Sequence, residues 1–333
     1  MTQPLPYRLR PRLAAFAALA LLALASVARA DVADVVKGQI LPGYAAFRVK
    51  AEALAADPSC EADALRPAFN AAFDAWLAVG HLRLGPAEEE GRALAIAFWP
   101  DPKGLGQKAQ MRLLTGDPAD LAPDRFAAQS IAARGLFALE RLLYPEKPLP
   151  ADGCALIRAT SADLARMSGA IEEGWVNGYA DKLLAPGAAG NETFLTETEA
   201  RQALFTQLAT GLEFLSDQRL GRPLGTFDRP RPERAEARPS GRSQRNILLS
   251  LKALRAFAVA LEPQSPLAQA AFDRAIGLAE ALDDPILDGV GDPQKRLKIE
   301  ILQQAVQAVR DAAIAEIAPA LGVDLGFNSQ DGD

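Results

Sequence analysis

Apolar residues recur every three to four positions along almost the whole chain, on a background rich in alanine and leucine. No stretch alternates with period two for long enough to suggest a sheet. The spacing predicts helices over about 32–56, 61–84, 104–115, 123–143, 153–184, 197–220, 243–262, 266–283 and 293–318. Local signals set several boundaries. Thr196 with Glu199 forms a capping box, Ser265 and Asp292 place capping side chains before Pro266 and Pro293, and Gly221 is suited to end a helix. Long amphipathic helices joined by short loops must bury their stripes on one another, so the expectation is an all-α protein built of antiparallel bundles. Prolines, glycines and small residues at 184–191 mark the best internal boundary, giving an N-terminal bundle over 31–185 and a C-terminal bundle over 191–333.

The first thirty residues break this pattern. Arg8, Arg10 and Arg12 precede an apolar run from Leu13 to Val27, and Ala28-Arg29-Ala30 has the small residues of a cleavage site, so residues 1–30 read as a secretory signal peptide cut after Ala30. The run of about fifteen residues is shorter than the ~20 that span a bilayer. We therefore expect a soluble periplasmic product with no transmembrane helix in the mature protein. Without residues 1–30 the chain keeps 32 basic and 42 acidic residues, a net charge of −10, which argues against nucleic acid as a partner. Both cysteines, Cys60 and Cys154, survive processing into an oxidising compartment, and each precedes a predicted helix. A Cys60–Cys154 disulfide is the natural pairing; the alternative is two unpaired buried thiols, and two distant cysteines with a single histidine make a poor zinc site.

Candidate chemistry centres on Gly135-Leu136-Phe137-Ala138-Leu139-Glu140. This phrase resembles the Gly-x-His-x-x-Glu signature of the imelysin family, with Phe137 where the signature has histidine. Three further phrases carry the resemblance: Arg83-Leu84-Gly85-Pro86, Ala97-Phe98-Trp99-Pro100-Asp101-Pro102-Lys103-Gly104, and the tail Gly326-Phe327-Asn328-Ser329-Gln330-Asp331-Gly332-Asp333. Ser240-Gly241-Arg242-Ser243-Gln244-Arg245-Asn246 is similar to a serine-containing helix start in the family's second half. The resemblance implies two pseudo-symmetric antiparallel helical bundles and a periplasmic role in iron or haem acquisition, as a non-enzymatic binding or accessory module. A metallopeptidase label, attached to part of the family, is the alternative. The resemblance further implies iron- or haem-related envelope proteins as partners and iron or another divalent metal at Glu140, with His81 the other candidate ligand; Phe137 in place of the motif histidine removes a nitrogen ligand, so that binding is expected to be weak.

The residues themselves leave alternatives. On a helix over 123–143, Arg134, Phe137, Glu140, Arg141 and Tyr144 share one face. Glu140 then lies either in a crevice between helices or in an ordinary ion pair with Arg134 or Arg141 at the bundle edge. His81, the single histidine, either approaches Glu140 as a substitute imidazole or satisfies a backbone carbonyl at its helix end. Trp99, Arg134, Ser240 and Ser243 are candidate pocket residues. Glu88-Glu89-Glu90 reads more simply as acids at a helix start than as a cation site. Eight arginines between Arg219 and Arg245, interrupted by prolines, predict an exposed loop, either a solvated connection or a patch for an anionic partner. The sequence contains no His-Glu-x-x-His, no Gly-x-Ser-x-Gly, no Cys-x-x-Cys-His and no paired Glu-x-x-His.

Overall fold

The computed structural model describes residues 32–323. The expected leader, its expected cleavage point after Ala30 and the tail 326–333 lie outside them. The three-to-four-residue periodicity produces helices throughout, and among the described residues the one extended pairing is an isolated bridge between Thr226 and Arg229. No helix among these residues is long and apolar enough to cross a membrane.

In the first half, α1 (32–56) packs along α5 (154–184) and α2 (Ala62–Val79), while the short α4 (Gly135–Leu143) is laid across α2 and α5. α3 (Leu105–Thr115) covers α4 from outside. In the second half, α6 (197–224), α7 (Ser243–Leu261), α8 (Pro266–Glu280) and α9 (Pro293–Leu321) bury their stripes on one another. The halves meet chiefly where α2 packs on α7. Cys60 and Cys154 are joined by a disulfide that ties the start of α2 to the start of α5, with Cα atoms 5.1 Å apart.

Caps behave largely as their chemistry dictates. Thr196 accepts from the Glu199 N–H at 3.2 Å, and Asp292 accepts from the N–H groups of Gln294 and Lys295. Ser265 departs from expectation, because its hydroxyl donates to the Glu262 carbonyl at 2.7 Å instead of capping α8. Gly221 does not end α6, which runs on to Leu224 through a π-helical stretch, Phe214–Leu220. α5 likewise bends at a π-helical turn where Asn177 and Gly178 leave helical geometry.

The largest departure is over 123–143. The expected single helix is three pieces: Pro123–Ala127, a 3-10 turn Ile131–Ala133, and α4. Arg134 is extended, at φ −113° and ψ 168°, and Gly135 is left-handed at φ +72°. A Cβ on Gly135 would lie 2.2 Å from the Ala95 carbonyl oxygen and 2.4 Å from that of Ile96. The chain must turn tightly against the Arg92–Ile96 helix there, and only glycine fits.

Candidate functional site

α4 is buried along its length, Arg141 being its one partly open residue. A nine-residue helix so enclosed needs every polar group satisfied. Arg66 donates to the Leu143 carbonyl from Nε and Nη2 at 3.0 and 2.8 Å, covering the C-terminal end, and its guanidinium lies 4.4 Å from the centroid of the Tyr144 ring. Gln110 of α3 donates to the Ala138 carbonyl at 2.7 Å, and Arg141 reaches the Ala132 carbonyl at 2.9 Å. These contacts fix the rotation of α4, and with it the direction of Phe137 and Glu140.

Glu140 is 3% exposed. Its Oε1 accepts two hydrogen bonds from Ser240, one from the backbone N–H at 3.1 Å and one from the hydroxyl. The motif carboxylate of the first half is thus held by the arginine-rich segment of the second. Burial pushes the Glu140 carboxyl above its ordinary value; the Ser240 hydrogen bonds and Arg141 pull it back, while Glu236 adds to the rise. Phe137 sits one turn away, edge-on to Phe73 of α2 at 5.5 Å and stacked with Trp99 at 6.5 Å between centroids. Trp99 in turn meets Phe214 of α6 edge-on at 6.0 Å, so four rings from both halves form one aromatic wall.

The segment 219–245 is exposed over 225–229 and at 233–234, as its charge suggested, but Glu236, Arg242 and Ser243 turn inward. Arg242 is 3% exposed; its guanidinium lies over Phe73 at 4.8 Å, donates to Asn70 at 2.8 Å and pairs with Asp74. Arg245 also pairs with Asp74. Burial opposes ionisation of Asp74, but the hydrogen bonds from Arg245 and Arg242 prevail and hold its carboxyl below the ordinary value. Arg219 donates to the buried Glu236 at 2.7 Å and to Ser250 at 2.6 Å, and Asn246 donates to the same Glu236 oxygen at 2.9 Å. Ser243 donates to the Glu236 carbonyl at 2.6 Å. Its role is to fix the loop that carries Ser240.

Of the expected site residues, Glu140, Phe137, Trp99 and Ser240 come together, with Ser243 one contact removed. Arg134 does not join them: it is buried in the first half of the chain, where it donates to Asp163 at 2.7 Å. The break at Gly135 removes it from the face of Glu140. His81 lies just beyond the end of α2, its ring edge-on to Phe257 of α7 at 5.0 Å. Neither ring nitrogen has a hydrogen-bond partner, and burial pulls the imidazole down to about 3, with Arg219 adding to the shift. It therefore makes neither the expected backbone contact nor a hydrogen bond to Glu140. Glu88, Glu89 and Glu90 are exposed, and the last two pair with Arg92 at 3.0 and 3.2 Å. Asp74 and Glu236 carry no mark in the sequence reading, and Arg219 and Arg242 enter it only as members of longer stretches. The signal available for Asp74 was the i, i+3, i+4 grouping of Asn70, Phe73 and Asp74 on α2.

The same motif helix and cross-half contact fall within residues 39–313, which match the profile of the imelysin (peptidase M75) family. The chain belongs to the imelysin family. It is 24% identical over 286 residues to iron-regulated protein A of Synechococcus elongatus, a match covering 77% of this chain and 74% of that protein. In fold it is similar to the crystal structure of an imelysin-like protein from Psychrobacter arcticum, at 21% identity and a TM-score of 0.72 over 89% of this chain and 96% of that one. A candidate iron-regulated protein A precursor from Parabacteroides distasonis shares the fold at 14% identity and a TM-score of 0.62, over 85% of this chain and 92% of that one.

Among the described residues the donors around Glu140 do not form a metal centre. Glu140 is engaged by hydrogen-bond donors, the adjacent motif position offers a benzene ring, and among the described residues no group of three or more His, Cys, Asp or Glu is placed to hold a metal ion. What the arrangement supplies is one buried carboxylate facing donors across the two halves. This gives a pH signature. Because the folded-state pKa is raised, the folded chain retains a proton that the unfolded chain loses above the ordinary value of 4.5, so the stability associated with Glu140 falls as pH rises through that window. Glu140→Gln keeps an acceptor for Ser240 and removes the titration. The variant should gain on the wild type as pH increases above about 4.5, read from unfolding midpoints across the pH range. A difference independent of pH would contradict the assignment.

Proposed function

We propose that this chain is an exported, non-enzymatic binding or accessory protein of iron or haem acquisition, working with iron- or haem-related envelope proteins, and that the seam between its halves, where Glu140 meets Ser240, receives the ligand. The observation that carries this reading is the cross-half seating of Glu140 on Ser240 beside the wall of Phe137, Phe73 and Trp99. A single desolvated carboxylate next to aromatic rings suits recognition of a ligand with hydrogen-bond donors or modest positive charge. Peptide hydrolysis needs more. A metallopeptidase must hold a metal-bound water and stabilise an oxyanion, and Phe137 puts an apolar ring where a nitrogen ligand would stand. The names of the relatives, iron-regulated protein A among them, support the connection with iron.

Under this reading transition metals bind only weakly at Glu140. Phe137→His restores the imidazole three residues before the carboxylate on one helix face and should tighten zinc or iron(II) binding by roughly 10-fold or more, measured by calorimetry. Glu140→Ala in that background should abolish the gain. Wild-type protein that carries tight stoichiometric metal and cleaves peptides in a metal-dependent way lost in Glu140→Ala would overturn the proposal in favour of a metallopeptidase.

A further inference from the structure

The stretch Arg222 to Arg234 holds four arginines and two acids, in a chain whose overall charge is −6. It is a rigid turn. Thr226 and Arg229 form an antiparallel bridge, the Arg231 N–H donates to the Pro223 carbonyl at 2.8 Å, and three prolines restrict the backbone. Gly225, at φ +56°, has no room for a side chain: a Cβ would lie 2.5 Å from the Arg229 carbonyl oxygen. At the apex stands Phe227, 71% exposed, the most exposed large apolar side chain among the described residues.

The foot of the turn is fixed to α9. Arg296, itself buried, donates to the Leu224 carbonyl at 2.7 Å and lies 5.8 Å from the centroid of the Phe227 ring, and the adjacent Leu297 is 56% exposed. The guanidinium groups of the turn are weakly engaged. Arg229 makes no ion pair among the described residues, Arg222 reaches only Gln218 at 3.4 Å, and Arg231 and Arg234 share the exposed Glu233 at 3.8 and 3.9 Å. The acids of the neighbouring 284–292 loop are already committed. Asp288 pairs with Arg238 at 2.8 Å, Asp284 accepts from the backbone N–H groups of Asp288 and Gly289, and Asp292 caps α9.

We propose that the Phe227 turn docks this protein on an anionic lipid surface, the ring entering the headgroup region while Arg222, Arg229, Arg231 and Arg234 contact phosphates. A lone ring on a stiff tip favours lipid over a protein partner, because a protein interface needs a contiguous apolar patch and a bilayer interface accepts a single aromatic wedge flanked by cations. The charge supports the same occupant. An acidic protein approaches an anionic surface only through a local reversal of sign, which this turn supplies.

Vesicles of phosphatidylglycerol mixed with phosphatidylcholine test the proposal, with wild type and variants recovered in the same exported form and sedimented with lipid. Wild type should bind the mixed vesicles at low salt, release at about 0.5 M salt and ignore pure phosphatidylcholine. Phe227→Ala should weaken binding roughly tenfold, and Arg229→Glu by a similar factor, with unfolding midpoints unchanged. Leu267→Ala, at another exposed apolar position, should bind as wild type. Equal binding to neutral vesicles, or unaltered binding by both turn variants, would overturn the proposal. So would turn variants that keep vesicle binding but lose capture of an acidic protein, which would make the turn a protein-docking site.

Discussion

Gly135→Ala is expected to cost about 4 kcal/mol or more, enough that little folded protein accumulates. Two effects combine. The left-handed backbone at φ +72° disfavours any residue with a Cβ by ~1–2 kcal/mol. The added carbon also meets the carbonyl oxygens of Ala95 and Ile96 at 2.2 and 2.4 Å, and these are backbone atoms that no rotamer change can move. Either α4 or the Arg92–Ile96 helix must shift, and both are packed in the hydrophobic core. A shift of α4 would also withdraw Glu140 from Ser240, so function and stability should fail together. Denaturant unfolding of whatever soluble variant is recovered measures the loss. A midpoint equal to that of the wild type would refute the steric account.

Replacing both Cys60 and Cys154 by serine should lower stability by about 4–5 kcal/mol, the chain-entropy value for releasing a loop near 100 residues. The bridge closes a segment of sequence separation 94 that contains α2, α3 and α4. Without it the unfolded chain gains freedom that the folded chain never had. The folded state should change little, because Arg158 still reaches the Pro58 carbonyl at 3.1 Å and Arg66 still covers the end of α4. Urea unfolding with and without reductant gives the comparison: reduced wild type should match the double variant, and oxidised wild type should exceed both. Coincident curves would show that the bridge contributes nothing to stability.

The two substitutions divide what was legible in the chain from what was not. Helix positions followed from apolar spacing, and the caps at Thr196 and Asp292 from local hydrogen-bonding chemistry, because both depend on residues within one or two turns of each other. The disulfide was legible because oxidation leaves two cysteines few alternatives. The family resemblance rested on short phrases, of which the motif phrase marks the helix that carries Phe137 and Glu140. The sequence by itself therefore determined an all-helical chain, most of its element boundaries and the carboxylate at the centre of its candidate site. It did not determine where that carboxylate points. Apolar periodicity continues through Ser130 to Gly135, so nothing local announced the break; the turn is imposed by carbonyls of Ala95 and Ile96, some forty residues earlier. Arg134 consequently pairs with Asp163, and His81 faces Phe257. The charge of 219–245 likewise suggested solvent, yet Arg219 and Arg242 are drawn inward by Glu236 and Asp74, since a buried cation is tolerated where a carboxylate meets it. Only the tertiary structure decided that Ser240 would meet Glu140 across one hundred residues of chain, because side-chain partners between bundles are selected by how whole helices pack and leave no periodic trace in sequence.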